Sequence, residues 1–399
     1  MLYFFYLINK DLTLQNKSEV YTLNFWLLCS SSLLFFTSFN MIIPELPDYL
    51  TSLGGEEYKG LIIALFTVTA GISRPFSGKL TDRVGRVPVM FVGVLVSCIC
   101  TLFYPIVGTV FGFLLIRFLH GFSTGFKPTG TSAFLADIVP ADRRGEALGV
   151  LGFFSSTGIG IGPYFGSLIV MHFDIEVMFY ISSGISLLSI LILLNLKETL
   201  SNPEKLKVEH FIIRKNEIID KSAIPPSIVM LLCTTAYGVI LTLIPDLSTH
   251  LEIENKGAFF LYFTAASMLV RISAGKLSDK YSRVTVLKFS TIILVFALIA
   301  VGLSSNAVEL FAAAILLGIG IGTNSPSVYA WTIDRASEKH RGRAIATMYI
   351  ALEIGIGLGA VISAEIYDNN VHQIGWSFFA CAGMCFLAFL YVMFNKFDK

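Results

Sequence analysis

Apolar residues along this chain fall into long runs, and polar residues collect in the short segments between them. An α-helix needs about 20 mostly apolar residues to cross a bilayer. Twelve such runs are read near 22–43, 59–77, 87–105, 109–136, 147–171, 176–196, 225–245, 256–275, 284–303, 307–333, 344–367 and 372–395. A polar stretch from Lys197 to Ala223 divides the first six from the last six, and the remaining connections leave no room for a folded soluble domain. The pattern predicts an all-α membrane protein with twelve transmembrane helices. Its expected units are an N-terminal tail (1–21), an N-terminal six-helix bundle (22–196), a linker (197–224) and a C-terminal six-helix bundle (225–399). The opening stretch Met1 to Ile8 has no basic segment before it and no small-residue cleavage site after it, so it does not read as a signal peptide.

Composition agrees with this reading. Of 399 residues 54% are hydrophobic and 14% charged, where a soluble domain carries roughly 25% charged residues. The formal net charge of +1 offers no basic face for nucleic acid. The six cysteines lie inside apolar runs, Cys98-x-Cys100 and Cys381-x3-Cys385 among them, without histidine or carboxylate neighbours at ligand spacing. They read as small packing residues, and neither a metal nor another cofactor is expected.

Charge is sorted by loop. Lys79, Arg83 and Arg86, then Arg143 and Arg144, the 197–221 stretch, Lys276, Lys280 and Arg283, and finally Arg335, Lys339, Arg341 and Arg343 follow the even-numbered spans. The alternate loops hold mainly acids, such as Glu45, Asp48, Asp174, Asp246 and Asp368. By the positive-inside rule the basic loops, the linker and both termini face the cytoplasm, with the chain in the inner (plasma) membrane.

The second half repeats the first. Arg74-x3-Gly78-Lys79-Leu80-x-Asp82 recurs as Arg271-x3-Gly275-Lys276-Leu277-x-Asp279. Asp137, Arg144 and Gly145 recur as Asp334, Arg341 and Gly342; Gly158, Gly160 and Gly162 recur as Gly355, Gly357 and Gly359. Each pair stands 197 residues apart. Six spans per repeat keep both copies in one orientation, so the halves are parallel repeats about an axis along the membrane normal. That design implies a site between the halves, opened alternately to each side.

Several motifs carry a family resemblance. Gly78 to Arg86, with its copy from Gly275 to Arg283, resembles the signature loop of the major facilitator superfamily. The resemblance implies the major facilitator fold and assigns conformational gating to Gly78, Asp82, Arg83, Gly85, Arg86, Asp137 and Arg144, and to Gly275, Asp279, Arg283, Asp334 and Arg341. It sets Asp82 against the eleventh span, and Arg83 and Arg86 are expected to face Asp137. The second copy has Ser282 where the first has Gly85 and is expected to clamp more weakly. A bland alternative is a solvated basic turn that only fixes topology. The fifth span carries Gly149, Gly158, Gly162, Pro163 and Gly166 at the spacing of the superfamily's antiporter motif, departing at Ser167. In that family the motif is taken to seal the leak path and favour export; generic glycine packing is the alternative. Arg117-x2-His120-Gly121 resembles an arginine-containing motif linked there to proton transfer, with His120 in place of glutamine. Asn40-x3-Pro44-Glu45-Leu46-Pro47 resembles the end of span one in drug:proton antiporters, the branch most resembled.

Charged groups inside a membrane are costly and default to function. Glu353, Arg117 and His120 are therefore candidates for proton coupling, and Asn40, Lys127, Glu353, Asn324 and Tyr329 for a substrate cavity. A static alternative pairs Glu353 with Lys127, Arg117 or a backbone donor. The sequence has no Gly-x4-Gly-Lys-Ser/Thr loop, which leaves ion gradients as the energy source. A proton crossing ~100 mV releases ~2.3 kcal/mol and one pH unit adds ~1.4, together enough for a substrate gradient of roughly several hundredfold. The expectation is a monomeric, proton-coupled exporter of a small molecule, with the lipid bilayer as its surroundings. A proton-coupled importer of a sugar or organic anion is the alternative, and a non-transporting sensor or scaffold a remote one. No nucleophile–base set marks an enzyme.

Overall fold

The computed structural model describes residues 20–140, 143–212, 219–336 and 341–395, excepting the side chains of 145, 272–281, 341 and 342. The first apolar run forms α1, Leu23–Met41, whose first turn is capped by the Thr22 hydroxyl accepting from the Phe25 N–H at 3.3 Å. Pro44 and Pro47 lack the amide hydrogens that the preceding turn would accept. Here, with two prolines only three residues apart, α1 passes through a 3₁₀ turn, Ile43–Glu45, into a short helix, Leu46–Ser52. The remaining long helices are α2 (Lys59–Arg83), α3 (Arg86–Phe103), α4 (Val110–Ile138), α5 (Arg144–His172) and α6 (Ile175–Leu193). After the linker come α7 (Ile224–His250), α8 (Ala258–Tyr281), α9 (Arg283–Leu303), α10 (Ala307–Arg335), α11 (Arg341–Tyr367) and α12 (Ile374–Phe394).

Ten of the twelve are, by length and composition, apolar enough to cross a membrane. The exceptions are α4, which carries Arg117, His120 and Lys127, and α8, whose apolar stretch covers Ala258–Arg271. In α4 those three side chains are almost fully buried, so the bundle rather than lipid receives them.

The repeat seen in sequence is a repeat of packing. In the first half α1 packs on α5 and α6, α2 on α4, and α3 on α4 and α6. In the second half α7 packs on α11 and α12, α8 on α10, and α9 on α10 and α12. The glycines set how closely these pairs approach. A Cβ on Gly158 would meet the Leu33 carbonyl at 2.6 Å, one on Gly162 the Thr37 carbonyl at 2.6 Å, and one on Gly166 would overlap the Met41 backbone. Gly355 and Gly359 press in the same way on Leu231 and Thr235 of α7. Lipid tails give no hydrophobic drive between helices, so close small-residue packing and interhelical hydrogen bonds hold them together. Ser38 supplies such bonds, reaching the Ser182 and Ser186 hydroxyls of α6 at 3.0 and 2.7 Å.

The turn between α2 and α3 is closed by Gly85 at φ +138°, where an L side chain is strained. Its copy, Ser282, adopts φ +75° and compensates in part by accepting from the Thr285 N–H at 3.3 Å. The linker then wraps the first turn. Glu198 accepts the Arg86 and Val87 amides at 3.1 and 3.0 Å, Glu204 binds Arg83 at 2.9 Å, and Lys79 donates to the Glu209 and Ile212 carbonyls. Hydrogen bonds from Arg83, then from His210, hold the Glu204 carboxyl below its usual range. At the far end of the linker Asp220, held low chiefly by the Ser222 hydroxyl, pairs with Arg343 at 3.1 Å.

Candidate functional site

Two seams join the halves, α2 against α11 and α5 against α8, and they match at the 197-residue offset. In the first, a Cβ on Gly357 would meet the Thr67 hydroxyl at 2.8 Å; in the second, a Cβ on Gly160 would meet Thr264 at 2.7 Å. Each seam thus seats a threonine of one half against a glycine of the other.

One feature breaks the symmetry. Arg74 of α2 binds Glu353 of α11 at 2.6 Å, with both side chains largely buried. Arg74 has a counterpart in Arg271, but the residue matching Glu353 in the first half is Ser156, so only one seam carries the ion pair. At 1.5 Å rise per residue, Arg74 lies roughly 22 Å along α2 from Lys59, and Glu353 roughly 18 Å along α11 from Arg341. The pair therefore crosses between halves near mid-membrane. The guanidinium also lies over the Tyr349 ring, 4.6 Å from its centre, while its Nε has no partner among the described residues. Glu353 is thus joined to neither Lys127 nor Arg117 but to Arg74, seen in sequence only as a repeat position. Its recurrence as Arg271 inside an apolar run was the signal that could have marked it.

Beside this pair the α2–α11 seam opens a cavity of about 630 Å³. It is lined mostly by apolar side chains of both helices, with Thr67, Gly71, Pro75, Gly357 and Glu353 among them. Among the described lining residues, Glu353 is the charged one.

The end of the molecule with the acidic loops is latched. Lys59 of α2 binds Asp246 of α7 at 2.8 Å with both side chains largely buried, and Lys256 pairs with Asp48. Ser167, where the fifth-span motif departs from glycine, donates to Glu45 at 2.6 Å and accepts the Gly257 amide at 3.1 Å. That hydroxyl ties the end of α1, α5 and the α7–α8 loop together, which glycine could not do. Toward the basic end, a Cβ on Gly78 or Gly149 would meet no described atom within 4 Å. Among the described residues, contacts between the halves include those of the acidic end, Arg74–Glu353 and Gly160–Thr264.

The other candidates fall in several places. Arg117, fully buried, donates to the Ile62 carbonyl at 2.9 Å and lies over the Phe66 ring. His120 sits between Ser97 at 3.1 Å and the Tyr104 hydroxyl at 3.3 Å, and Tyr104 also meets Arg117 at 3.5 Å. Arg117 and His120 thus form one network inside the first half. Lys127 is a separate buried cation between α1, α3 and its own helix, bonded to Thr131 at 2.9 Å and Ser32 at 3.4 Å. Asn40 bonds the Phe36 carbonyl of its own helix. Asn324 donates to Ser290 within the second half, and Tyr329 packs half-buried against that half's core. The structure therefore does not gather the cavity candidates into one site.

Of the gating group, Arg86 binds Asp137 at 2.8 Å, whereas Arg83 turns to Glu204 of the linker. Asp82 is exposed, 3.9 Å from Arg86. Arg144 caps α4 through the Ala136 carbonyl at 2.7 Å. Arg283 repeats the Arg86 contact on Asp334 at 3.0 Å with the carboxylate more exposed. The side chains at Gly275, Asp279 and Arg341 lie outside the described residues.

The chain matches the sequence profile of the Major Facilitator Superfamily over residues 28–307 and again over 226–398. It is 28% identical over 345 residues to multidrug resistance protein MdtG of Serratia proteamaculans, covering 82% of this chain and 83% of that protein. The crystal structure of the human organic anion transporter MFSD10 (TETRAN) superposes with a TM-score of 0.70 at 17% identity, covering 92% of this chain and 98% of that one. A mutant of the nucleoside transporter NupG does so with a TM-score of 0.73 at 16% identity, covering 93% and 100%.

Proposed function

The chain belongs to the Major Facilitator Superfamily and is a multi-pass membrane transporter, and we propose that it exports a small molecule from the cytoplasm in exchange for protons. The observation that carries this reading is the Arg74–Glu353 bridge, a buried carboxylate whose partner belongs to the opposite half. With the basic loops taken as cytoplasmic, the Lys59–Asp246 latch belongs to the outer side, and we take this conformation as the inward-facing one. In the empty, ionised carrier the bridge helps hold this conformation. Parting the halves would strand two charges in a low-dielectric setting.

Two events can lift that restraint: protonation of Glu353, or a substrate that occupies its carboxylate. Either lets the halves rock, so neither the proton nor the substrate path is open in the empty carrier. That is the condition for exchange rather than leak. The multidrug resistance protein of S. proteamaculans supports export as the direction. Arg117 and Lys127 are buried inside the first half, which gives the anion-import reading no support of its own.

The test uses everted vesicles made acidic inside, a pH-sensitive dye, and cationic, neutral and anionic compounds. Compound-dependent release of luminal protons, lost in Glu353→Gln and Arg74→Gln vesicles, is expected. An unchanged response in Glu353→Gln would remove the carboxylate from the mechanism. Uptake of an acid or sugar into whole cells, with a silent panel in vesicles, would reverse the direction.

A further inference from the structure

We propose that Arg271 of α8 is a recognition residue for the cargo, binding an acidic group (a carboxylate or sulfonate) of a small molecule held between the halves. At 1.5 Å per residue Arg271 lies roughly 20 Å along α8 from Ala258 and roughly 15 Å short of Tyr281, near mid-membrane. It is nevertheless exposed. The exposure is not to lipid. Leu269 and Tyr262, 72% and 43% exposed, mark the outward face of α8. At 3.6 residues per turn Arg271 stands roughly 160° round the helix from the first and roughly 180° from the second. Two turns before it on its own side is Thr264, the residue seated on Gly160 of α5. Its charge acts on Tyr237 of α7, which packs against the core of the second half. Arg271 therefore opens on the space between the halves.

The broken symmetry of the seams selects the occupant. In the first seam the arginine at this place, Arg74, is neutralised by Glu353. Across the second seam the matching residue is Ser156, and no described carboxylate pairs with Arg271. The acid on α5 is Glu146, in its first turn, roughly 15 Å from Ser156 along the helix. A Cβ on Gly152, two turns before Gly160, would meet no described atom within 4 Å, so this face of α5 stands clear beyond the Gly160–Thr264 contact. Rocking that closes the basic end would lay α5 over the guanidinium, and burying a cation without a counter-charge is strongly opposed. An acidic group on the cargo supplies that charge, in the paired geometry a guanidinium favours. A cation would be repelled, and lipid headgroups lie half a membrane away. Loading and closing are thereby linked: the empty carrier resists closing over Arg271, and the loaded one does not. The inference rests on the export reading for direction alone; binding at Arg271 needs no gradient and no transport.

The experiment adds one cysteine at Ser156, or at Ser52 on the exposed acidic end as a control, to the full-length protein in nanodiscs of zwitterionic lipid. Two water-soluble thiol reagents are compared, the anionic sulfonatoethyl and the cationic trimethylammonioethyl methanethiosulfonate, with the parent's own cysteines as background. A nearby unit charge moves the two rates in opposite directions, so the anion-to-cation ratio at Ser156→Cys should fall roughly tenfold or more when Arg271→Gln is added. Arg271→Lys should keep most of the ratio, and Ser52→Cys should respond to neither change. Benzenesulfonate at about tenfold its dissociation constant leaves roughly a tenth of the sites empty and should slow labelling of Ser156→Cys by that factor. Phenyltrimethylammonium should not protect, and Arg271→Gln should abolish the protection by the sulfonate. A ratio indifferent to Arg271, no protection by the sulfonate, equal protection by the cation, or a Ser156→Cys that neither reagent reaches would overturn the proposal. Protection without proton release in the vesicle assay would retain the site and discard antiport; proton release driven by cations alone, without protection, would do the reverse.

Discussion

Replacing Glu353 with glutamine leaves the Arg74 guanidinium facing a neutral amide, with only 12% of its side chain exposed. Breaking a buried ion pair by removing one partner costs about 3–5 kcal/mol, most of it from the charge left behind. A conformation in which the seam opens and water reaches Arg74 does not bear that cost. The ratio of inward-facing to outward-facing protein should then fall by roughly 2.2 to 3.7 powers of ten, at 1.36 kcal/mol per decade. Spin labels at Ser52→Cys and Glu254→Cys, exposed positions of opposite halves at the acidic end, report this as a distance distribution. The parent should give a single short distance and Glu353→Gln a dominant long one. Arg74→Gln should act in the same direction, because it leaves the carboxylate unpaired. The double variant Arg74→Gln/Glu353→Gln buries no charge and should return most of the population to the short distance. Identical distributions for parent and Glu353→Gln would refute the reasoning. A double variant displaced by the sum of the singles would show that the two residues act separately.

The acidic-end latch offers a second handle: a disulfide between Lys59→Cys and Asp246→Cys should stop transport and a reductant should restore it, whereas continued turnover of the oxidised protein would mean that this end does not open. Glycine spacing predicts a contrast in stability. Gly158→Val must displace the Leu33 carbonyl and should cost about 1–3 kcal/mol, seen as a lower Tm in detergent, whereas Gly149→Ala enters open space and should leave Tm unchanged. Equal shifts for the two would contradict the packing described. The linker clamp has a defined pH window. The folded Glu204 carboxyl lies below its ordinary value, first through Arg83 and then through His210. Its contribution is complete above about pH 4.3, the ordinary glutamate value, and is lost only as pH falls through the lower folded value. Proteolysis of the 199–212 segment should therefore stay constant from neutral pH to about pH 5 and rise only in stronger acid. A rise between pH 7 and 5 would count against the clamp.

Much of this protein was legible in its sequence, because in a membrane the physics is local. A helix in lipid must satisfy its backbone internally and stay apolar along its length, so twelve runs announced twelve helices. Charge asymmetry between alternate loops ordered their ends. The 197-residue offset foretold two parallel halves; that their seams match down to Thr67 on Gly357 and Thr264 on Gly160 is what the fold added. Which buried charges meet was decided only by tertiary structure. Glu353 and Arg74 are 279 residues apart, and helical spacing says which face a residue occupies without saying which distant helix that face adjoins. Lys127 and Arg117, equally conspicuous in the chain, were turned inward by the packing of α1 to α4 and kept from the seam. Ser167 read as a flaw in a glycine motif until the fold laid Glu45 and the Gly257 amide within reach of its hydroxyl. Apolar periodicity is written along one helix; partnership between charges is a property of how twelve helices are set side by side.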